Sequence, residues 1–247
     1  MYLRSELFAS HGITGIFTTR LGGISKPPFD SLNLGAGLGD NEEHVRTNLD
    51  RVVVKAGLPA IPHRSHQCHG IGHIWCEGPA MRDNATADVL LTQQAGCAVS
   101  VRTADCTPIL LVDPKTGIAA AVHAGWRGTA KRIVRQAVTV MQSHGSRPEH
   151  ILASLGPCIG PCCFSIGEET TAALMASCDD AGYYIHANTA DLAGINALQL
   201  QQAGVSKAHI ESIRACTACD NKHFFSYRRD GDKSGRHLAI VAMPEAP

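Results

Sequence analysis

The chain has 247 residues, 44% hydrophobic and 18% charged, with 22 Lys+Arg balanced by 22 Asp+Glu. That composition excludes a disordered or fibrous chain, and a formal charge of zero lacks the electrostatic footprint of a general nucleic-acid binder. No run approaches the roughly 18 apolar residues of a membrane span, so neither nucleic acid nor membrane is expected as a partner. Two residue types are over-used: 13 His and 10 Cys, against 5% aromatics. The start, MYLRSELFAS, has no apolar signal-peptide core and no cleavage pattern. A chain this long buries a real core without disulfide staples. The thiols therefore read as reduced and the compartment as cytoplasmic.

With no linker, repeat, low-complexity tract or charge block, residues 1–247 read as a single domain. A first strand is expected over 13–18, followed by a Gly- and Pro-rich loop over 21–39. A helix is expected over 40–58: Asp40 caps it, Glu43 completes a capping box, and Gly57 stands at the C-terminal cap. Val45, Leu49, Val52, Val53 and Ala56 form its apolar face. Residues 59–70 read as a loop dense in histidine, with His63, His66 and His69. Short strands follow over 71–76, 87–91 and 96–101, then a hairpin of 108–113 and 116–123 joined by Asp-Pro-Lys-Thr-Gly. The clearest helix spans 129–144, with Ala130, Ile133, Val134, Ala137, Val138 and Met141 on one face and Gly145 after it. A strand over 151–155 precedes helices over 167–178 and 189–203. The second is capped by Asn188, with Asp191 at its third position and Gly204 past its end. Strands over 209–213, 224–227 and 236–242 close an α+β, or mixed α/β, fold.

With its turn centred on Lys115, the hairpin puts Cys106 and His123 nearly opposite each other at its open end. A thiolate and an imidazole brought together serve as nucleophile and base or as two ligands of a zinc ion. His69, in His66-Gln67-Cys68-His69-Gly70, is the leading third ligand. Three protein ligands leave one position open, the pattern of a catalytic zinc. Cys216-Thr-Ala-Cys219 is a lone CxxC without a second pair at zinc-finger spacing, which reads as structural or incidental. Cys158, Cys162 and Cys163 lie in the tight loop GPCIGPCCFSIG, where they line a pocket or pack in a core. Tyr227-Arg228-Arg229-Asp230, with Arg236 beyond it, either holds a phosphate or carboxylate or is a solvated charged turn. The chain has no Walker loop, GxGxxG, HExxH or GxSxG.

FTTRLGGIS, SLNLG, HQCHG, TADCTPILLVD, AVHAGWRG, LGPCIGPCCFSIG and FFSYRRDGDKSGRHLA occur in that order. From about residue 16 to 242 the chain resembles the laccase-domain, or polyphenol-oxidase, family of bacterial proteins. The resemblance implies a single-domain α/β/β/α sandwich with mixed sheets, similar to Cys-His toxin hydrolases. It implies metal ligands at His69, Cys106 and His123. It also implies activity on purine nucleosides: phosphorolysis of adenosine, inosine and methylthioadenosine, and deamination of adenosine. Some members are linked to removal of wrongly built peptidoglycan precursors. The family's older name implies copper-dependent phenol oxidation, but laccases gather their coppers largely through His-x-His pairs and this chain has none. A thiolate with imidazoles suits zinc, although copper also enters such sites. Cys68 stands where the family more often has an apolar residue. Neighbouring side chains of an extended segment point to opposite faces, which keeps His69 as the ligand.

Motif position supplies further candidates. Arg127 is a catalytic candidate, and Arg20, Arg46, Arg127 and Arg228 are candidates to hold phosphate. Asn33 lies in a loop able to approach a ligand closely, and Phe225 is a candidate to stack on the base. Three readings follow: a zinc enzyme acting on purine nucleosides and phosphate, an amide hydrolase of a cell-wall precursor with Cys106 as nucleophile, and a non-catalytic metal-dependent binding protein.

Overall fold

Along the segment Thr107–Asp113, Ile109 and Leu111 join one apolar cluster while Leu110 and Val112 join another, and all four are fully buried. A strand apolar on both faces needs a packed layer against each. The computed structural model, which describes residues 1–78 and 82–244, shows those layers. The elements are, in the first half, β1 (Tyr2–Arg4), α1 (Glu6–Ala9), β2 (Thr14–Thr18), α2 (Glu42–Ala56), β3 (Arg64–His66), β4 (His73–Trp75), β5 (Arg82–Thr86), β6 (Val89–Thr92), β7 (Ala98–Thr103), β8 (Thr107–Asp113) and β9 (Ile118–Ala124). In the second half they are α3 (Trp126–Ala130), α4 (Ile133–Ser143), β10 (Leu152–Leu155), α5 (Glu168–Met175), β11 (Ile185–His186), β12 (Thr189–Ala190), α6 (Leu192–Gln202), β13 (Ile210–Ser212), α7 (Tyr227–Asp230) and β14 (His237–Ala242).

A six-stranded sheet has the order β13-β10-β8-β9-β6-β4 and is mixed, since β13 and β4 each run parallel to their neighbour. A four-stranded antiparallel sheet has the order β1-β2-β14-β7. Phe17, Val99, Val101, Ala239 and Val241 of the smaller sheet meet Leu90, Leu110, Val112, Ala119 and Ala121 of the larger one. The larger sheet's other face is covered by α4, through Ile133, Val134, Ala137, Val138 and Met141, and by Leu200 of α6. The smaller sheet's other face is covered by Leu49, Val52 and Ala56 of α2. The layers therefore run helix, sheet, sheet, helix, in the mixed α/β single-domain arrangement that the resemblance implies. A satellite core of Ile159, Phe164, Leu174, Leu192 and Ile195 supports the loop after β10.

Four local expectations are corrected. The cap of α2 is Asn41, whose side chain accepts from the Glu43 and His44 N–H groups, while Asp40 accepts from Ser25 Oγ and Asn33 Nδ2. The helix expected over 129–144 is two, α3 and α4, because Arg132 is left-handed (φ 62°). The helix expected from 189 starts later: Thr189 and Ala190 pair with β11, and Asp191 caps α6 by accepting from Gly194 N–H. The strand expected over 224–227 is absent. The Phe225 N–H is taken by His237 Nε2 at 2.8 Å instead of a strand partner, and Ser226 caps α7.

Gly156 lets the chain leave β10 beneath the smaller sheet, because a Cβ there would overlap the ring of Phe17, which is 2% exposed. A rigid core resists such an insertion. Gly156→Ala is expected to destabilise the protein by about 1–3 kcal/mol, measured by urea denaturation. An unchanged midpoint would show that the two sheets are not this closely packed.

Candidate active site

Asp88 follows Ala87 and immediately precedes β6, and it is fully buried. A buried carboxylate must find donors. Asp88 accepts from the backbone N–H groups of Cys68 (3.1 Å), His69 (3.0 Å) and Gly70 (2.8 Å), and from His123 Nδ1 at 2.7 Å. Three successive N–H groups converge on one anion only if the chain curls around it, and it does so with His69 left-handed at φ 59°. Burial alone would raise the Asp88 pKa. The hydrogen bonds from His123 and the Gly70 N–H outweigh it and hold the carboxyl well below the usual carboxylate range. One charge thus joins the loop carrying His69 to the strand carrying His123.

The β8–β9 hairpin closes over residues 114–117, pairing Pro108 with His123 and Thr107 with Ala124. The four-residue turn shifts the register from the expected one. Cys106, just before β8, lies toward Gly125 and diagonal to His123. His69, Cys106 and His123 nevertheless bring their ligating atoms within 4.8 Å of one another. Cys106 Sγ is 3.8 Å from His69 Nε2, and the two imidazole rings are 4.8 Å apart at 72°. A Cβ on Gly125 would stand 2.9 Å from both Cys106 Sγ and His69 Cδ2, so a residue without a side chain is required there. Burial alone would push the Cys106 thiol up, but the facing His123 and His69 imidazoles pull it down to about 6. Burial alone would lower His123, and the Cys106 and Asp88 charges raise it. With Nδ1 of His123 committed to a carboxylate, Nε2 is left for a ligand. Two imidazoles and a readily formed thiolate at this spacing fit a single divalent ion.

The site opens into a cavity of about 520 Å³ whose wall includes Gln67, Arg102, Trp126, Phe164, Arg228 and Arg236. Asp105, left-handed at φ 92°, accepts from Thr217 Oγ1 and from the Arg228 N–H, both at 2.6 Å. It therefore ties the residue beside Cys106 to two further loops. The Arg228 guanidinium donates to Cys163 O (3.1 Å) and Ser165 Oγ (3.0 Å) and lies 5.3 Å from the Phe164 ring. Arg236 donates through Nη1 to Ser234 O (2.6 Å) and Gly235 O (3.0 Å).

Of the residues singled out by sequence, His69, Cys106, His123, Tyr227, Arg228 and Arg236 line this cavity. Arg127 is exposed beside it, stacked 4.3 Å over Trp126. Arg20 pairs with Asp30 and lies 4.7 Å over Phe225, which is fully buried against His237. Asn33 is buried and accepts from the Gly35 and Arg236 N–H groups. Arg46 lines a separate groove along α2 and pairs with Glu43 at 3.6 Å. The Cys68 thiol faces Asp88 at 3.3 Å. Sequence reasoning missed Asp88, Asp105 and Arg102. A charged residue inside the apolar run Ala87-Asp88-Val89-Leu90-Leu91 was the available signal for the first.

The family described as multi-copper polyphenol oxidoreductase laccase matches residues 14–244. The chain is similar to the purine nucleoside phosphorylase YfiH of Escherichia coli (strain K12), 38% identical over 232 residues, 93% of each protein. It is similar to a purine nucleoside phosphorylase of Deinococcus radiodurans, 36% identical over 92% of this chain and 88% of that one. Of solved structures, YlmD from Geobacillus stearothermophilus is similar with a TM-score of 0.84 at 33% identity, covering 99% of this chain and 96% of that one. The hypothetical protein YfiH of Bacillus licheniformis gives 0.86 at 28% identity, covering 94% and 93%.

Asp88→Asn is expected to weaken the uptake of a divalent ion at this site, with zinc as the probe, by roughly 10–100-fold, measured by competition with a chromophoric chelator. In the metal-free protein the depressed Asp88 pKa contributes stability that is present above its ordinary value of 3.8 and lost as pH falls below it. The stability of Asp88→Asn therefore falls less steeply than that of the wild type between about pH 5 and 2. Equal slopes would contradict a buried, charged Asp88.

Proposed function

The chain belongs to the multi-copper polyphenol oxidoreductase laccase family, and we propose that within it this protein is a purine nucleoside phosphorylase. The observation that carries the reading is the convergence of His69, Cys106 and His123 on one wall of a cavity that also presents aromatic faces and guanidinium groups. Relatives over most of the chain bear that enzyme's name. A cavity of about 520 Å³ is in the range that encloses small-molecule ligands. Phe164 and Trp126 offer flat apolar surfaces to a purine, while Arg228 and Arg236 offer charge to phosphate.

In this reading a phosphate oxygen bonds to the anomeric carbon as the glycosidic bond breaks, and the departing base takes a proton. Arg228 and Arg236 align the anion, and the aromatic wall holds the base and excludes competing water. Arg127, exposed at the rim, is positioned to attract phosphate toward the cavity. Arg20, Asn33 and Phe225 act from behind the wall: Asn33 holds the Arg236 backbone, and the Arg20–Phe225 stack supports the segment before Arg228. Arg46 is assigned no contact with substrate, since it lines the groove along α2. Zinc is the ion this donor set suits best, with copper next, and when bound it supplies Lewis-acid stabilisation of charge developing on oxygen. Deamination of adenosine in the same cavity extends the reading.

A second reading rests on the lowered pKa of Cys106 beside His123: a thiolate nucleophile for amide hydrolysis of a cell-wall precursor. Multi-copper phenol oxidation is not proposed, because among the described residues neither group able to hold an ion has more than two histidines. Ten free cysteines suit the reducing cytoplasm, and among the described residues no helix is long and apolar enough to cross a membrane.

His69→Ala and Cys106→Ala are each expected to lose about one equivalent of zinc, together with phosphate-dependent release of base from inosine and adenosine. Metal-free wild type that keeps full turnover, and loses it on alkylation of Cys106, would overturn the metal reading in favour of the thiolate. Arg228→Ala and Arg236→Ala are expected to raise the KM for phosphate by about 10-fold or more, with a smaller change for the nucleoside. Equal changes in both constants would remove these residues from the phosphate site.

A further inference from the structure

Behind the cavity wall lies a second group of ligating atoms. Cys162 and Cys163 belong to a tight turn over 160–163, closed by the Cys163 N–H donating to Gly160 O at 3.0 Å. Cys216 and Cys219 bracket a second turn, where the Asp220 N–H donates to Cys216 O at 3.1 Å. The two segments run side by side: Cys158 and Cys216 form a parallel bridge, and the Thr217 N–H donates to Cys158 O at 3.0 Å. The four sulfur atoms of Cys162, Cys163, Cys216 and Cys219 all lie within 4.8 Å of one another. Cys219 Sγ stands 3.4 Å from Cys162 Sγ and 3.2 Å from Cys163 Sγ.

These distances discriminate between the uses of clustered thiols. A disulfide needs about 2.05 Å between sulfurs and would employ only two of the four. A single tetrahedral ion about 2.3 Å from each sulfur sets the sulfurs about 3.8 Å apart, which is the spacing range found. A multi-iron cluster is too large to sit among sulfurs this close. Position 160 is shaped to this group of sulfurs. The Gly160 N–H donates to Cys216 Sγ at 3.2 Å, and a Cβ at position 160 would crowd Cys216 Cβ at 3.3 Å and Cys162 Sγ at 3.4 Å. Cys162 and Cys219 are exposed, so an ion has a way in.

We propose that Cys162, Cys163, Cys216 and Cys219 bind one zinc ion as a closed four-thiolate site, separate from the group at His69, Cys106 and His123. Binding forms four Zn–S bonds and releases the thiol protons to solvent, and no electron changes hands. The site is structural. It staples the loop whose Cys163 and Ser165 receive the Arg228 guanidinium to the loop whose Thr217 donates to Asp105. Arg229 Nη1 also donates to Thr217 O and Ala218 O within the second turn. The ion thereby holds the far wall of the cavity without touching what binds in it.

The test counts metal with the first group removed. Reduced wild-type protein reconstituted with zinc is expected to hold about two ions per chain, and His69→Ala/His123→Ala about one. Cobalt substituted into that double variant is expected to give strong thiolate-to-metal charge-transfer bands and tetrahedral d–d bands. Adding Cys162→Ser or Cys219→Ser, both at exposed positions, should weaken or abolish them. Zinc should also protect four of the ten thiols of the folded double variant from maleimide, a readout that needs no cysteine substitution. A folded, reduced double variant that binds neither zinc nor cobalt would overturn the proposal. So would a Cys162–Cys219 or Cys163–Cys219 disulfide in protein purified without oxygen.

Discussion

A carboxylate buried without solvent is the constraint on which the candidate site depends. Asp88 stands in an apolar segment and is matched by three consecutive backbone N–H groups and one imidazole. Removing a partner from such a charge costs on the order of 3–5 kcal/mol, so the 68–70 loop is not free to relax. The left-handed turn at His69 lets all three N–H groups face the anion, in a conformation uncommon outside glycine although histidine adopts it more readily than most residues. The same carboxylate commits Nδ1 of His123. One buried charge thus sets the direction of two of the three candidate ligands, and Gly125 leaves room for the third, Cys106.

The central strands were legible because they are buried on both faces and read as short apolar runs between turn residues, as in 108–113 and 237–242, whereas the short, partly exposed β1, β3 and β11 carry no such run. The helix break at Arg132 was not, since the apolar spacing from Ala130 to Ile133 runs straight through it and no Gly or Pro marks it. Phe224 and Phe225 carry strong strand propensity, yet the His237 ring takes the Phe225 N–H that a neighbouring strand would need. Propensity is local, whereas this competitor lies 12 residues further on.

The same division holds at the site. Cys106 and His123 were within reach of sequence reasoning because a hairpin makes distant residues neighbours by arithmetic, although a four-residue turn moved them from opposite to diagonal. His69 stood out in the run His66-Gln67-Cys68-His69-Gly70, and the resemblance pointed to the same residue. Asp88 was hidden because its partners lie 18 to 35 residues away and three of them are backbone groups, which have no letter in the sequence. Arg20, Asn33 and Phe225 illustrate the converse. They sit in distinctive motifs, yet in the fold Arg20 stacks on Phe225, Asn33 holds the Arg236 backbone, and none of the three lines the cavity.

The two sheets share a dry core, and a core of interlocked side chains holds strand ends still. The chemistry, however, is carried by what lies beyond those ends: the 66–70 loop, the residues before β8, and the segments 158–166 and 216–228. Loops are mobile unless something fixes them. Three fastenings are visible, each joining two segments distant in sequence. Asp88 joins the His69 loop to β9. Asp105 joins the approach to β8 to Thr217 and Arg228. The four clustered cysteines join 160–163 to 216–219. The first two use a carboxylate with nearly all its partners in hydrogen-bond range. The third sets four sulfurs together with few hydrogen bonds to hold them, a balance that an ion restores and that a metal-free cluster of like groups does not. Four of the ten cysteines are thus gathered where two loops must be held together in a chain large enough to fold without disulfides.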